Sequence, residues 1–256
     1  MAAFTGPKLD ATQATPTNIE NRFRGRESTT PTGLYAFRMS HNSDKAVRLW
    51  VDNEYDGGGW TLVLNNNQYT GGMNNLKYDD AINKANYRTG GSNDSTNNVT
   101  ILKNSYGLGD FNCWVGLKYW SALANKKTSG KITVVQIVAS SPVELNDTAN
   151  HTYRAEWTFT GWSSTYGMEN KAFVANLKGT TTPGFYSYHA SNRSLTTYDN
   201  DQDGNGGNCA TYYNNNPFWY GSCWSGNYFA GGGYADRPYW NSSTTDNHAY
   251  GAVYIK

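Results

Sequence analysis

The chain has 256 residues, a formal net charge of +1, and only 16% charged residues. Because positive and negative charges nearly cancel, the composition gives no electrostatic reason to expect nucleic acid or an anionic membrane surface as a partner. No apolar run reaches the roughly 18 residues that suggest a membrane-spanning helix, so we expect no membrane insertion. Twenty tyrosines and nine tryptophans supply flat side chains that suit both a core and a binding face.

The first 32 residues are polar and rich in Thr, and they include Pro7, Pro16 and Pro31. This composition predicts an extended arm or linker over residues 1–32. Such arms usually join subunits, so we expect a homo-oligomer formed through the arm, or a larger fibre assembly. The arm has no apolar secretory core, so either a signal has been removed or the protein leaves its cell by another route, such as virion assembly.

The rest of the chain predicts an α+β fold with a mostly antiparallel sheet and few short helices. A helix is predicted at residues 119–126, whereas residues 65–100 are dense in Asn, Gly and Thr and carry no clear pattern. From residue 178 onward the chain is loop-rich until its final strand. Strands are predicted, in chain order, at residues 33–39, 45–52, 59–64, 111–117, 131–139, 153–162, 173–177 and 249–256.

An acidic loop lies in the loop-rich third, where three aspartates alternate and a glycine follows, at Asp199, Asp201, Asp203 and Gly204. The start resembles an EF-hand loop, but Ala210 stands where that motif needs a bidentate Glu, and no helices flank the loop. Alternating carboxylates between glycines still suit a hard cation such as Ca²⁺. A solvated cluster of turns is the alternative that the residues leave open.

The chain has three cysteines. Cys209 and Cys223 enclose a short loop, and closing a loop of that size in an oxidising compartment would contribute about 3 kcal/mol. Cys113 lies in an apolar strand pattern and is expected to be a buried free thiol. No CxxC pair is present, so neither a zinc site nor a thioredoxin-like site is indicated.

A series of motifs resembles the fibrinogen-related domain, the globular C-terminal module of fibrinogen, ficolins and tachylectins. The most specific is DGGGWTLV, and the others follow in the family's order. The resemblance covers residues 33–256, with a binding subdomain from about residue 178. The motifs are GLY at 33–35, DGGGWTLV at 56–63, FNCWVGLKYWSAL at 111–123, YDNDQDGNGGNCA at 198–210 and NPFWYGSCW at 216–224.

The resemblance implies a calcium site in the acidic loop. In the family, two aspartate carboxylates and two backbone carbonyls hold the ion. On this chain they would be Asp201 and Asp203, with the carbonyls of Asn205 and Gly207. Asp199 would orient the loop without touching the ion.

The resemblance also implies a disulfide between Cys209 and Cys223. Lectin members have a cis peptide bond at the second cysteine, beside a pocket that takes acetyl groups or other sugar substituents. Here that bond would precede or follow Cys223. The pocket candidates are mostly aromatic and are Tyr213, Cys223, Trp224, Tyr228, Tyr234, Tyr239 and Trp240, with Asp236 and Asn241 as polar contacts.

Some positions depart from the family pattern. Val51 stands where the family has the cysteine of its first disulfide, and Trp224 stands where it has histidine. Other segments are similar to the intelectins, which bind sugar diols directly through calcium. The resemblance therefore implies the scaffold and the calcium loop, but it does not define the specificity of the pocket.

These observations favour a calcium-dependent module that binds carbohydrates or acetylated groups in host or cell-surface recognition. We expect it outside the cell or on a virion surface, for example at a tail-fibre tip. One alternative is a structural virion or fibre decoration protein that binds protein partners. A glycosidase with two carboxylates is the less favoured alternative, because acidic residues are few and no HExxH, GxSxG or P-loop motif occurs. The protein is therefore not expected to be an enzyme.

Overall fold

The computed structural model describes residues 8–9, 32–38, 46–67, 75–84, 87–89, 108, 112–124, 131–163, 167–169, 172–179, 193–223 and 248–256. Within them lie three α-helices, α1 (Tyr78–Asn83), α2 (Leu117–Leu123) and α3 (Cys209–Tyr212). The strands are β1 (Lys8–Leu9), β2 (Gly33–Arg38), β3 (Ala46–Asp52), β4 (Trp60–Asn67), β5 (Tyr87–Thr89), β6 (Asn112–Trp114), β7 (Ile132–Ala139), β8 (Tyr153–Phe159), β9 (Gly161–Ser163), β10 (Gly167–Glu169), β11 (Ala172–Lys178) and β12 (Tyr250–Ile255).

One sheet of ten strands organises the described residues, in the order β1-β2-β3-β4-β12-β7-β8-β11, with β6 also pairing β4 and β5 pairing β6. All of its pairings are antiparallel except that of β1 with β2. β9 and β10 form a separate antiparallel pair. The predicted fold class, a mostly antiparallel sheet with few short helices, is confirmed.

The centre of the sheet is buried on both faces, because every residue of β4 and β12 is buried. Alternate residues of a strand point to opposite faces, and the two hydrophobic clusters follow that alternation. Val253 and Ile255 belong to the larger cluster, whereas Ala252 and Tyr254 belong to the smaller one. The larger cluster also contains residues from the loop-rich third, so this face of the sheet supports that part of the chain.

Tryptophans make the central contacts of the larger cluster. The ring of Trp114, in β6, lies 5.3 Å from that of Trp120 in α2 and 6.1 Å from that of Trp219. The indole N–H groups of Trp114 and Trp120 donate to backbone carbonyls, of Ala81 at 2.8 Å and of Val115 at 2.7 Å. Large aromatic side chains thus fill the interior without leaving these donors unpaired.

Most predicted strands are confirmed with changed bounds, but the strand predicted at residues 153–162 is divided into β8 and β9, which lie in different sheets. The sequence did not predict β1, β5, β10, α1 or α3, and α2 begins two residues earlier than predicted. β6 also ends before Gly116, because the N–H of that glycine donates to the carbonyl of Lys84 at 2.9 Å. An added Cβ there would lie 2.5 Å from the Ile82 carbonyl oxygen, so the close approach requires glycine.

The predicted N-terminal arm falls mostly outside the described residues. Lys8 and Leu9 pair in parallel with Ala36 and Phe37 at the edge of the sheet. The division of the chain at residues 32 and 33 stays a prediction. The α-helices in the described ranges have four to seven residues, and none of them could span a bilayer. Cys113 is buried and unbonded to another cysteine, as expected.

The motif DGGGWTLV forms a tight turn that leads into β4. Asp52 is buried, and its Oδ1 accepts the N–H groups of Glu54 at 2.9 Å and Tyr55 at 2.8 Å. Gly58 has a φ of 73°, which L-residues rarely adopt. A Cβ on Gly58 would lie 2.8 Å from the carbonyl oxygen of Asn53, so both the backbone angle and the space require glycine.

Gly58→Ala should destabilise the fold by about 1–3 kcal/mol, because the left-handed backbone and the contact with Asn53 both oppose a Cβ. Chemical denaturation monitored by circular dichroism measures this change. Gly206→Ala is the matched control, since an added Cβ there meets nothing within 4 Å and its φ is not left-handed. Equal stability of the two variants would contradict this account of the turn.

Candidate functional site

The segment from residue 193 to residue 223 carries the candidate site and is anchored by three consecutive aromatic residues. Phe218, Trp219 and Tyr220 are each at most 2% exposed. Thr196 and Phe218 form an isolated antiparallel bridge with hydrogen bonds of 2.9 and 3.0 Å. The polar loop between these two residues is therefore closed at its base onto the hydrophobic core.

Asp203 organises the acidic loop. Its Oδ1 accepts the N–H of Asn205 at 2.8 Å, and its Oδ2 accepts the N–H of Cys209 at 2.9 Å. The next residue, Gly204, donates its N–H to the carbonyl of Gly221 at 2.9 Å. Each oxygen of a carboxylate can accept more than one hydrogen bond or ligand, so Asp203 retains acceptor capacity on both oxygens.

The other predicted calcium ligands lie in the same turn. Asp201 is exposed, and its Oδ1 accepts the N–H of Asp203 at 3.2 Å. Asn205 is hydrogen-bonded to both Asp203 and Gly207. Its backbone N–H donates to Asp203 Oδ1, and its Nδ2 donates to the Gly207 carbonyl at 3.1 Å. Carboxylates and carbonyls of this kind are the ligands that calcium prefers.

The charge of the loop also suits a cation. From residue 199 to residue 223 the sequence contains three aspartates and no Lys, Arg or His. Like charges at such spacing repel one another unless solvent or a cation offsets them. Within the described part of the chain no three His, Cys, Asp or Glu side chains form a metal-binding group, so a calcium ion here needs backbone oxygens besides Asp201 and Asp203.

Asp199 ties the loop to a distant part of the chain. Its Oδ1 accepts the N–H of Tyr78, at the start of α1, at 3.0 Å and the hydroxyl of Thr197 at 2.7 Å.

Asn208 connects the acidic loop to α3. Its Oδ1 caps α3 by accepting the N–H of Thr211 at 3.0 Å. Its Nδ2 donates to the Thr197 carbonyl at 2.9 Å, which holds α3 against the acidic loop.

The predicted disulfide is confirmed: Cys209 and Cys223 are bonded, with their Cα atoms 4.8 Å apart. The bond closes the segment that contains α3 and the three anchoring aromatics. Cys223 has a φ of 61°, and its sulfur accepts a hydrogen bond from Asn205 Nδ2 at 3.2 Å. No cis peptide bond occurs among the described residues, so the bond before Cys223 is trans, and the bond after it lies outside them.

Only two of the predicted pocket residues lie within the described part of the chain. Tyr213 is partly buried, and its ring stacks on that of Tyr220 at 5.9 Å with 21° between the planes. Burial is the main cause that raises the pKa of both phenols above the ordinary value, so both remain protonated at neutral pH. Cys223 is the second. Trp224, Tyr228, Tyr234, Tyr239 and Trp240 lie outside the described residues, as do Asp236 and Asn241.

The structure shows an exposed aromatic residue that the sequence-based candidates did not include. Tyr212, the last residue of α3, is 80% exposed and borders an open cavity of about 470 Å³. The described residues that line this cavity are Asn205, Gly207, Asn208, Thr211 and Tyr212. The sequence signal that could have indicated this helix is Asn208, a preferred helix-capping residue that lies three positions before Thr211.

The comparisons with known proteins agree with the motifs. The family described as the C-terminal globular domain of fibrinogen beta and gamma chains matches residues 20–246. A chicken protein, described as fibrinogen-like protein 1-like protein, is 26% identical over 201 residues, which cover 77% of this chain. The matched region spans 59% of the length of that curated relative, so this chain resembles only part of it.

Solved structures with the same fold include two human fibrinogen-like globe domains. That of ANGPTL2 has a TM-score of 0.57 and 20% identity, covering 98% of this chain and 99% of that one. That of ANGPTL6 has a TM-score of 0.55 and 19% identity, covering 100% of this chain and 98% of that one. At such identities these two likenesses concern the fold alone.

Asp203→Ala should lower the free energy of unfolding by about 1–3 kcal/mol in EDTA, because it removes the acceptor of the buried Cys209 N–H. Asp201→Ala is the matched control, and at its exposed position the change should stay within about 0.5 kcal/mol. Urea denaturation of both variants measures the difference. Equal losses would show that Asp203 does not organise the loop.

Proposed function

The chain belongs to the family of fibrinogen C-terminal globular domains, and from this premise we propose that it is a calcium-dependent module that binds carbohydrates or acetylated groups on cell surfaces. Domains of this family can mediate recognition and binding. The observation that carries the proposal is the acidic loop, in which Asp201 and Asp203 share one turn with no basic residue nearby in the sequence.

The proposed calcium ligands are the carboxylates of Asp201 and Asp203 and the carbonyls of Asn205 and Gly207. Calcium would supply a fixed positive charge that offsets the aspartates and would offer open coordination positions to ligand oxygens. The protein's own part is to hold the four donors in place before the ion arrives. It does so through the Asp203 hydrogen bonds to Asn205 and Cys209 and through the disulfide.

The proposed ligand pocket adjoins Cys223. Asn205 links the two sites directly, since it belongs to the acidic loop and its Nδ2 contacts the Cys223 sulfur. Tyr213 is held at one side of this region by its stacking on buried Tyr220. The remaining wall would come from the aromatic candidates that lie outside the described residues, Trp224, Tyr228, Tyr234, Tyr239 and Trp240.

A disulfide persists in an oxidising compartment, which supports an extracellular setting for the proposed recognition. Domains of this family are generally binding modules and not enzymes, and we propose the same for this chain. A virion or tail-fibre setting and a homo-oligomer formed through the arm stay predictions from sequence. In an oligomer, several weak sites would combine into useful avidity.

The protein should bind a defined subset of glycans on an array in calcium and lose that binding in EDTA. Asp201→Asn/Asp203→Asn should abolish calcium binding in isothermal titration calorimetry and glycan binding on the array, because neutral amides are weaker calcium ligands. Asp147→Asn is the matched control, since Asp147 is an exposed aspartate in a different loop. It should change neither measurement.

Two results would contradict the proposal. Glycan binding that is identical in calcium and in EDTA would show that binding does not depend on calcium. Absence of glycan binding, together with tight binding to a protein partner, would favour the structural decoration role.

A further inference from the structure

The open cavity beside α3 is lined by described residues that the pocket predicted at Cys223 does not include. Thr211 and Tyr212 are the last two residues of the short helix, and Asn208 caps its start. Neither Tyr213 nor Cys223 is among the described residues that line the cavity. The cavity nevertheless adjoins the acidic loop, because Asn205 and Gly207 form its other side.

Tyr212 gives this cavity a solvent-facing aromatic ring. It contacts Tyr213 edge to face, with 5.4 Å between ring centroids and 78° between planes. Tyr213 in turn stacks on Tyr220, which is 2% exposed and donates its hydroxyl to the Asn216 carbonyl at 3.0 Å. The Tyr212 ring contacts Tyr213 and yet stays 80% exposed, so it is accessible to a ligand, and a tyrosine has only two side-chain torsions to order on binding.

The polar groups around the ring suit hydroxyl groups. Within the described part of the chain, the Asn205 side chain uses its Nδ2 for Gly207 and Cys223, and its Oδ1 makes no hydrogen bond. The Thr211 hydroxyl likewise makes no hydrogen bond to a described residue. An acceptor and a hydroxyl beside an aromatic face form the combination that holds a sugar ring, with C–H groups on the aromatic ring and hydroxyls on the rim.

The charge of this segment gives an acidic sugar no favourable partner. Residues 199–223 contain no Lys, Arg or His, and a bound calcium ion would already be offset by Asp201 and Asp203. A sialylated or sulfated sugar would therefore lose hydration of its charged group without gaining a basic partner from this segment. An uncharged sugar avoids that cost.

We infer that the Tyr212 cavity is a saccharide subsite for an uncharged pyranose ring, which takes an outer residue of a glycan bound at the acidic loop. The sugar ring stacks on Tyr212, and its hydroxyls reach Asn205 Oδ1 and the Thr211 hydroxyl. This inference rests on the proposed function. It adds that affinity increases with the length of an uncharged glycan.

The test compares uncharged glycans of one sugar and of at least three sugars on an array in calcium, followed by calorimetry with the strongest oligosaccharide and its terminal monosaccharide. Tyr212→Ala should reduce the ratio of oligosaccharide to monosaccharide affinity about fivefold to tenfold, the value expected for one lost aromatic contact. Tyr212→Phe keeps the ring and should retain most of that ratio. Val174→Ala, which shortens a half-exposed apolar side chain elsewhere, is the matched control and should not change it.

The outcomes separate this inference from the proposed function. If calcium-dependent glycan binding is present but Tyr212→Ala leaves the ratio unchanged, the subsite is overturned and the proposed function stands. Preference for sialylated or sulfated glycans through Tyr212 would also overturn it. If the wild-type protein binds no glycan on the array, both fail.

Discussion

The burial of Trp219 against Trp114 is the contact on which the candidate site depends. It joins the loop-rich third of the chain to β6, and β6 pairs with the central strand β4. The segment from residue 193 to residue 223 contains only a four-residue helix, so secondary structure cannot offset the entropy of ordering it. Aromatic burial at residues 218–220 supplies the stabilisation instead.

From this anchor, each further constraint fixes a smaller part of the loop. The disulfide closes the segment around α3, and the Asp203 carboxylate binds the N–H groups of Asn205 and Cys209 on either side of the turn. Asp199 attaches the same loop to α1. The loop is therefore shaped by the protein's own contacts, which hold the Asp201 and Asp203 carboxylates in one turn before any cation binds. Preorganisation of this kind reduces the cost of binding.

Much of the scaffold could be predicted from the sequence, because its signals are local. Runs of apolar and β-branched residues identified the strands, and DGGGWTLV identified the turn that requires glycine at Gly58. The contact of Asp199 with Tyr78 could not be foreseen, since the two residues are 121 positions apart. The exposed Tyr212 was missed for a different reason: exposure depends on how α3 lies against the core, and two adjacent tyrosines give no periodic signal that distinguishes Tyr212 from Tyr213.

The central claim is that the acidic loop holds calcium with two carboxylates and two carbonyls. Anomalous X-ray diffraction from crystals grown with calcium tests it most directly, because it locates the ion without assuming its ligands. The account predicts one strong peak bounded by the carboxylates of Asp201 and Asp203 and the carbonyls of Asn205 and Gly207. A calcium peak elsewhere, or an acidic loop without one in calcium-saturated crystals, would contradict it.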